Sequence, residues 1–396
     1  MNTDRRVLIV GAGLAGWRTA KGLRRYGHTG PITLLGDETG GPYDRPPLSK
    51  QFLAGEWDLD RVILASADDL AAAGIEFVGG TRAVSVTPDG VRTEAGETYR
   101  YDVLVAATGA RARRLPDQPE SDRIRILRTL DDSRRLRDAL ATASHLMVVG
   151  GGFVGAEVAS VARGRGVDVT LIEAHSTPFA RVLGADVGGS LARRHGEHGV
   201  RLACDVRVSA LAEHEGEVTV RLADGRELAG DVALVSVGSV LNTDWLPEPA
   251  PQGVRCDQHG RVVDAPDRYA VGDIGQWWDP TRRRYERFEH WTNAGEQADV
   301  VAMDLLGVDR PRPPHLPYFW SDQFGTKLQM VGWPDVADRV VPLPLGITDR
   351  EAYLYVRDGR LCAAVGFGCP GIIVRLRPMV SAQLPLEDIP AAFGGG

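Results

Sequence analysis

Cysteine is scarce in this chain and lysine scarcer still. The four cysteines stand at 204, 256, 362 and 369. None is spaced as C-x-x-C, and none sits with histidine at zinc-ligand spacing, which argues against a zinc module and leaves no metal site to assign. Scattered thiols of this kind read as small buried hydrophobes. Lysine occurs only at 21, 50 and 327 while arginine is everywhere, a bias expected of a GC-rich coding source. Where nearly every cationic position has become arginine, a retained lysine marks a place that needs a compact ammonium. Lys21 reads as an ordinary surface helix residue. No apolar run approaches the roughly 18 residues needed to span a bilayer. No lysine- or arginine-rich tract accompanies the net charge of −7, so nothing points to nucleic acid. The first strand begins near Val7, leaving no room for a signal peptide, and a cytoplasmic location is expected.

What is present is ordinary globular material: 396 residues, 43% hydrophobic and 25% charged, enough for two or three domains. The apolar run Val7–Val10 leads into Gly11-Ala-Gly13-Leu14-Ala15-Gly16, and Leu146–Val149 leads into Gly150-Gly-Gly152-Phe153-Val154-Gly155. In such a fingerprint the first glycine makes the tight turn, the second admits the pyrophosphate and the third packs helix on strand. The pyrophosphate then rests on unpaired N–H groups at the positive end of a helix dipole. One such motif is a weak signal. Two of them, each between a buried-strand pattern and a helical pattern, mean two dinucleotides on one polypeptide and a hydride passed between them.

Strands are expected at residues 7–10, 32–35, 84–86, 98–101 and 103–107. Helices are expected at 17–26 and 48–53. A second α/β unit places helices at 131–142 and 156–165, and strands at 146–149, 167–172 and 232–237. Both copies close on a strand that ends in glycine, Ala107-Thr108-Gly109 and Val237-Gly238. A helix is expected at 293–302. Beyond Tyr318 come short strands at 328–331, 340–341, 352–356 and 361–365, and a terminal glycine run expected to be disordered. The fold class is therefore α/β: two Rossmann-like dinucleotide-binding domains plus a C-terminal α+β domain. The expected boundaries are 1–113 with 245–317 for FAD, 114–244 for NAD and 318–396 for the C-terminal domain.

Carboxylates identify the nucleotides. Asp37, after the strand ending at Leu35, can reach a ribose hydroxyl. Glu173 ends the corresponding strand of the second copy, where it would bond the ribose hydroxyls and repel a 2′-phosphate. Ala174 and His175 follow, without an arginine to accept that phosphate, so NADH is expected over NADPH. Tyr269-Ala-Val-Gly272-Asp273 puts an aspartate after a glycine at a strand end far along the chain, where it can return to the ribityl chain of FAD.

Several segments, taken in order, resemble the FAD-containing, NADH-dependent ferredoxin reductases of bacterial oxygenase systems, within the glutathione-reductase superfamily. They are Gly11–Gly16, Pro42-Tyr-Asp-Arg45-Pro-Pro-Leu-Ser-Lys50, Ala107–Ala110, Leu127-Arg128-Thr129, Gly150–Ala159, Tyr269–Ile274, Glu289-His-Trp291-Thr-Asn293 and Tyr318-Phe-Trp320-Ser-Asp-Gln323. The resemblance implies FAD contacts from Leu14, Ala15, Asp37, Lys50, Ala83, Arg128, Asp273 and Trp291. Arg45, Ala107, Thr108, Gly109 and Gly272 complete that set, and Phe153, Val154 and Gly238 join the second site. The resemblance also implies that Lys50 lies near flavin N5 and pairs with Glu157. An ammonium there would stabilise negative charge on the reduced ring. Trp320 matches the family tryptophan near the isoalloxazine and nicotinamide, and is the third candidate catalytic residue. The helix after Asn293 would aim its N-terminus at the pyrimidine edge. A proline that usually precedes the asparagine of the second closing loop is replaced here by Leu241.

Disulfide reductases of this superfamily carry C-x-x-x-x-C on an early helix, and coenzyme A disulfide reductases with the related NADH oxidases keep one cysteine there. This chain has no cysteine before 204. Electrons must therefore leave directly for an outside acceptor, expected to be an acidic [2Fe–2S] ferredoxin that docks transiently and feeds an oxygenase. Candidate docking cations are Arg282, Arg283, Arg284, Arg287, Arg310 and Arg312. The protein is expected to be a monomer or weak dimer. Alternatives of the same fold are an NADH oxidase or rubredoxin reductase. A slow redox-sensing flavoprotein, like the apoptosis-inducing factors, is the alternative of a different class.

Overall fold

The computed structural model describes residues 3–310, 315–346 and 350–389. Arg312 and the terminal glycine run lie outside them. The chain forms two compact units, the first made of residues 1–44, 59–111 and 239–315 and the second of 45–58, 112–238 and 316–396.

In the first unit Val7–Val10 is buried along its whole length, because Val7 and Ile9 pack in one apolar cluster and Leu8 and Val10 in another, while Ile32–Leu35 and Val103–Ala106 pair in parallel with its two edges. Such strands read as continuous apolar runs rather than alternating ones. Ile75–Val78 and Ala265–Ala270 extend the sheet in parallel, one on each side. Ala83–Thr87, Gly90–Thr93 and Thr98–Tyr99 form a small antiparallel sheet. The helices Leu14–Arg25 and Trp291–Leu306 pack closely, and a Cβ on Gly22 would come within 2.9 Å of Ala302 Cβ.

The second unit holds a parallel sheet ordered Val200–Ala203, Asp168–Ile172, His145–Val149, Val232–Val235, Ile124–Arg125. Beside it are a three-stranded meander over Val208–Gly230 and an antiparallel five-stranded sheet built from Tyr318–Phe367. Helix Pro370–Ser381 buries Ile373, Leu376 and Val380 in the apolar cluster of that sheet. The segment Arg45–Asp58 belongs to this unit, with Ser133 Oγ donating to Leu48 O at 2.7 Å and the Arg137 guanidinium 5.4 Å over the Phe52 ring.

Both fingerprint helices start three residues earlier than expected, at Leu14 and Phe153. Glycine has low helix propensity, but within the first turn it costs little and leaves room at the entrance. The long helix Ala180–Glu197 was not anticipated. Glycines at 184, 188, 189 and 196 blur its period, and Gly184 is itself non-helical at φ +80°.

That helix is fastened to the C-terminal sheet. Tyr355 OH donates to Leu183 O at 2.5 Å, and the Glu351 carboxylate accepts from Ser190 Oγ at 2.5 Å, Tyr353 OH at 2.7 Å and Arg194 Nη2 at 3.0 Å. Burial alone would raise the Glu351 pKa. The Ser190 and Tyr353 hydrogen bonds and the Arg194 charge outweigh it and hold the carboxyl down to about 2. A depressed carboxylate stabilises the fold above its ordinary value and loses that contribution as pH falls toward the folded value. Glu351→Gln is therefore expected to lower the melting temperature at pH 7, with the gap to wild type narrowing between pH about 4.5 and about 2. Calorimetry across that range checks it.

Candidate functional site

Each cradle is built by backbone pressing on backbone. Gly11 adopts φ +113°, and a Cβ there would lie 2.3 Å from the Ala107 carbonyl oxygen. A Cβ on Gly16 would lie 1.9 Å from Gly11 O. Gly13 is different: its backbone is extended and a Cβ would meet nothing within 4 Å. The second copy repeats this, with Gly150 at φ +104° against Ser236 O at 2.3 Å, Gly155 against Gly150 O at 2.2 Å, and open space at Gly152. Gly13 and Gly152 cap helices that have neither a side-chain cap nor an acidic residue in the first turn among the described residues. First-turn N–H groups without protein partners suit an anion. The cradles therefore fit the pyrophosphates of two dinucleotides.

In the first unit the strand ends converge on the fingerprint. A Cβ on Gly272 would lie 3.0 Å from Ala15 Cβ and 3.9 Å from Ala294 Cβ, which brings Asp273 and the start of helix Trp291–Leu306 to the same place. Gly272 N–H donates to Gln297 Oε1 at 2.8 Å, and Trp291 Nε1 donates to Asp44 Oδ1 at 2.6 Å. Thr108 and Gly109 are tied to Asn242: Thr108 Oγ1 donates to Asn242 O at 2.6 Å and Asn242 N–H to Gly109 O at 2.9 Å. Asp37 is exposed, whereas neighbouring Glu38 accepts from Tyr43 OH at 2.7 Å. Ala83, half-buried, opens the antiparallel sheet.

In the second unit Glu173 sits at the floor of the cradle. Its Oε2 accepts from Gly151 N–H at 2.7 Å, and its Oε1 from His175 N–H at 2.9 Å. Phe153 packs on Phe179 and edge-on to Phe319, with centroids 4.8 and 4.4 Å apart. Its side chain is thus core, while its N–H belongs to the helix start. Val154 is half-buried and Gly238 adopts φ +103°. Arg45 Nη1 donates to Arg128 O at 2.7 Å, joining two candidate cofactor contacts.

Lys50 and Glu157 meet in the same unit. Lys50 Nζ lies 2.6 Å from Glu157 Oε2, the side chains being 9% and 4% exposed. Ser49 Oγ also donates to Oε2, and Ser321 Oγ donates to Oε1 at 2.6 Å. A buried ion pair is tolerable when further hydrogen bonds satisfy its remaining lone pairs, as here. Ser49 and Ser321 lie inside the PPLSK and YFWSDQ runs, but nothing in the sequence says that both point at one carboxylate. Trp320 is not part of this group. Ser321 and Phe319 face inward, and the pleat turns Trp320 to the other side of the strand, stacked with Tyr318 at 6.2 Å and 5.9 Å from the Lys327 ammonium.

All four cysteines are free, three of them buried. Burial pushes the Cys256 thiol far up and the Cys362 thiol up to about 11, leaving neither as a thiolate. The arginine run at 282–287 is half offset: Arg282 and Arg284 share the Glu286 carboxylate, and Arg287 lies 2.7 Å from Glu289. Arg310 lies 5.6 Å over the Tyr26 ring. No helix among the described residues is long and apolar enough to cross a membrane.

The contrast between the glycines yields a test. Gly152→Ala is expected to fold like wild type, because its Cβ has space, yet to bind NADH at least about tenfold more weakly by filling the cradle, a cost of about 1.4 kcal/mol. Gly155→Ala drives a methyl into a carbonyl and should lower the melting temperature itself. Titration of bound nucleotide alongside thermal melts separates the two.

Residues 5–298 match the family described as pyridine nucleotide-disulphide oxidoreductase, and residues 318–392 match the reductase C-terminal family. Rhodocoxin reductase of Rhodococcus erythropolis is 35% identical over 396 residues, covering 98% of this chain and 92% of that protein. Putidaredoxin reductase of Pseudomonas putida is 33% identical, covering 98% and 94%. The crystal structure of the covalent putidaredoxin reductase–putidaredoxin complex superposes with a TM-score of 0.92 at 31% identity, covering both chains completely. With both family segments matched and full-length relatives above 30% identity, the chain belongs to the pyridine nucleotide-disulphide oxidoreductases, among the FAD-dependent ferredoxin reductases of oxygenase systems.

Proposed function

We propose that this protein takes hydride from NADH and delivers electrons singly to an acidic [2Fe–2S] ferredoxin that feeds an oxygenase in the cytoplasm. The ferredoxin reductase activity follows from full-length kinship with reductases of such systems. The observation that carries the reading further is a built pair of uncapped glycine cradles in a chain that has no thiol before residue 204. FAD, when bound, supplies the redox chemistry that turns a two-electron donor into a source of single electrons.

The residues proposed to hold FAD are Gly11, Gly13, Leu14, Ala15 and Gly16 at the pyrophosphate and Asp37 at the ribose. Ala83, Ala107, Thr108, Gly109, Gly272, Asp273 and Trp291, with Arg45 and Arg128, complete the set. NADH would lie on Gly150, Gly152, Phe153, Val154, Gly155 and Gly238, its ribose at Glu173. That carboxylate, held by Gly151 and His175, would repel a 2′-phosphate. Lys50 is proposed to offset charge on the reduced ring, Glu157 holding its ammonium in place, and Trp320 to offer a stacking surface. Hydride transfer needs no general acid or base; the chain's work is positioning and electrostatics. Domains at 1–113 with 245–317, 114–244 and 318–396 divide these tasks.

Three measurements test this. Anaerobic NADH should reduce the bound flavin well above one per second, the reduced protein should then reduce a [2Fe–2S] ferredoxin, and oxygen uptake without a carrier should stay slow. A rate of about one per second or less, against roughly 10 per second for a typical enzyme, would indicate a sensor instead. Glu173→Ala should cut kcat/KM for NADH about ten- to hundredfold, the worth of charged hydrogen bonds, and narrow its margin over NADPH. The double variant Lys50→Met, Glu157→Gln leaves no buried charge unpaired. It should keep its flavin and be reduced at least about tenfold more slowly at saturating NADH.

A further inference from the structure

The Glu157 carboxylate is the end of a longer chain of side chains within the second unit. Strand Tyr318–Gln323 turns back on Thr326 through Phe324 and Gly325, both at positive φ, +50° and +68°. Two helices grip the tip of this turn. Phe324 N–H donates to Ser160 Oγ at 2.7 Å, and the Phe324 ring stacks on His198 at 4.1 Å and meets His195 edge-on at 5.0 Å. With the tip held, Ser321 and Gln323 project from one face of the strand into the interior, 0% and 6% exposed. Gln323 Nε2 donates to Ser321 Oγ at 3.0 Å, and His195 Nε2 lies 2.9 Å from Gln323 Oε1. His195 is fully buried, and its Nδ1 has no partner.

With the Gln323 amide oxygen toward His195 and its nitrogen toward Ser321, donor and acceptor inventory sets the direction of every bond. An amide oxygen only accepts, so His195 donates from Nε2. Gln323 then spends its amide N–H on Ser321 Oγ, which leaves the hydroxyl proton of Ser321 for Glu157 Oε1. Reversal requires all three to change together. With the proton on Nδ1, the Gln323 amide would turn its N–H to His195 and its oxygen to Ser321, drawing the hydroxyl proton away from Glu157. That arrangement also buries an unpaired N–H, which protein interiors rarely tolerate.

We infer that His195 and Gln323 are positioning residues for the Lys50–Glu157 pair, their one-way donor chain through Ser321 fixing the carboxylate that holds the Lys50 ammonium. This rests on the proposed role of Lys50 toward the flavin. The chain reaches from helix Ala180–Glu197 to the ion pair, so the orientation of one buried imidazole bears on a carboxylate three hydrogen bonds away.

The test has one readout that needs no flavin chemistry. In histidine-labelled protein, long-range nitrogen–proton spectra should show the His195 ring protonated at Nε2, with a slowly exchanging proton. In the holoprotein, His195→Phe keeps the ring volume and removes the donor. It should slow flavin reduction at saturating NADH about fivefold to tenfold, shift the flavin midpoint potential to a more negative value, and leave the dissociation constant for NADH unchanged. His195→Gln, whose amide can donate the same bond, should restore most of both. Ser321→Ala removes a single atom from the chain and reports the same step should the phenylalanine variant not fold. The inference is overturned if the proton sits on Nδ1. It is also overturned if His195→Phe and Ser321→Ala leave rate and potential unchanged while the Lys50→Met, Glu157→Gln variant alters them. If that double variant alters neither, the role of Lys50 toward the flavin has failed, and this inference falls with it.

Discussion

Everything functional in this molecule depends on backbone being allowed to touch backbone at two glycine turns. At Gly16 and Gly155 a methyl group would stand 1.9 and 2.2 Å from a carbonyl oxygen, far inside any contact a side chain can make. That approach seats each helix directly behind the strand preceding it, so its unpartnered N–H groups emerge at the strand's carboxyl end. The glycines at 13 and 152 face open space instead. The fold leaves room for a side chain there and none at Gly16 and Gly155, so smallness at 13 and 152 fits the proposed nucleotide contact. One motif thus contains two physical requirements, which substitution can separate.

The second constraint is a buried charge. Taking a lysine and a glutamate out of water costs several kcal/mol for each ion, and Glu157 meets that cost with donors on both oxygens: Lys50 and Ser49 on one, Ser321 on the other. In a chain where arginine has replaced nearly every lysine, the ammonium persists at a buried position beside two serines. A planar guanidinium with five donors is larger and asks for more partners. The retention of Lys50 is therefore a packing and charge argument as much as a chemical one.

Membership in a family named for disulfide chemistry makes the thiols instructive. The four cysteines are free, and burial holds Cys256, Cys362 and Cys369 away from the thiolate form. The chain has both glycine cradles and no cysteine before residue 204, consistent with electrons that leave for another protein. The arginine cluster at 282–287 carries carboxylates of its own. Glu286 and Glu289 offset two of its four positive charges, so the linear run overstates the field it presents.

Local patterns made the parallel strands and both glycine cradles legible, because continuous apolar runs and fixed glycine spacing are short-range signals. Helix Ala180–Glu197 was hidden by its own glycines, which erase the apolar period that would announce it. Only the tertiary structure decided that residues 45–58 pack with the second unit, that Trp320 and Ser321 face opposite ways, and that His195, Gln323 and Ser321 line up on Glu157. The last of these rests on hydrogen bonds between side chains more than a hundred residues apart, His195 to Gln323 and Ser321 to Glu157. Such bonds exist only where packing brings a donor within about 3 Å of an acceptor, and no residue's neighbours in the chain record that distance.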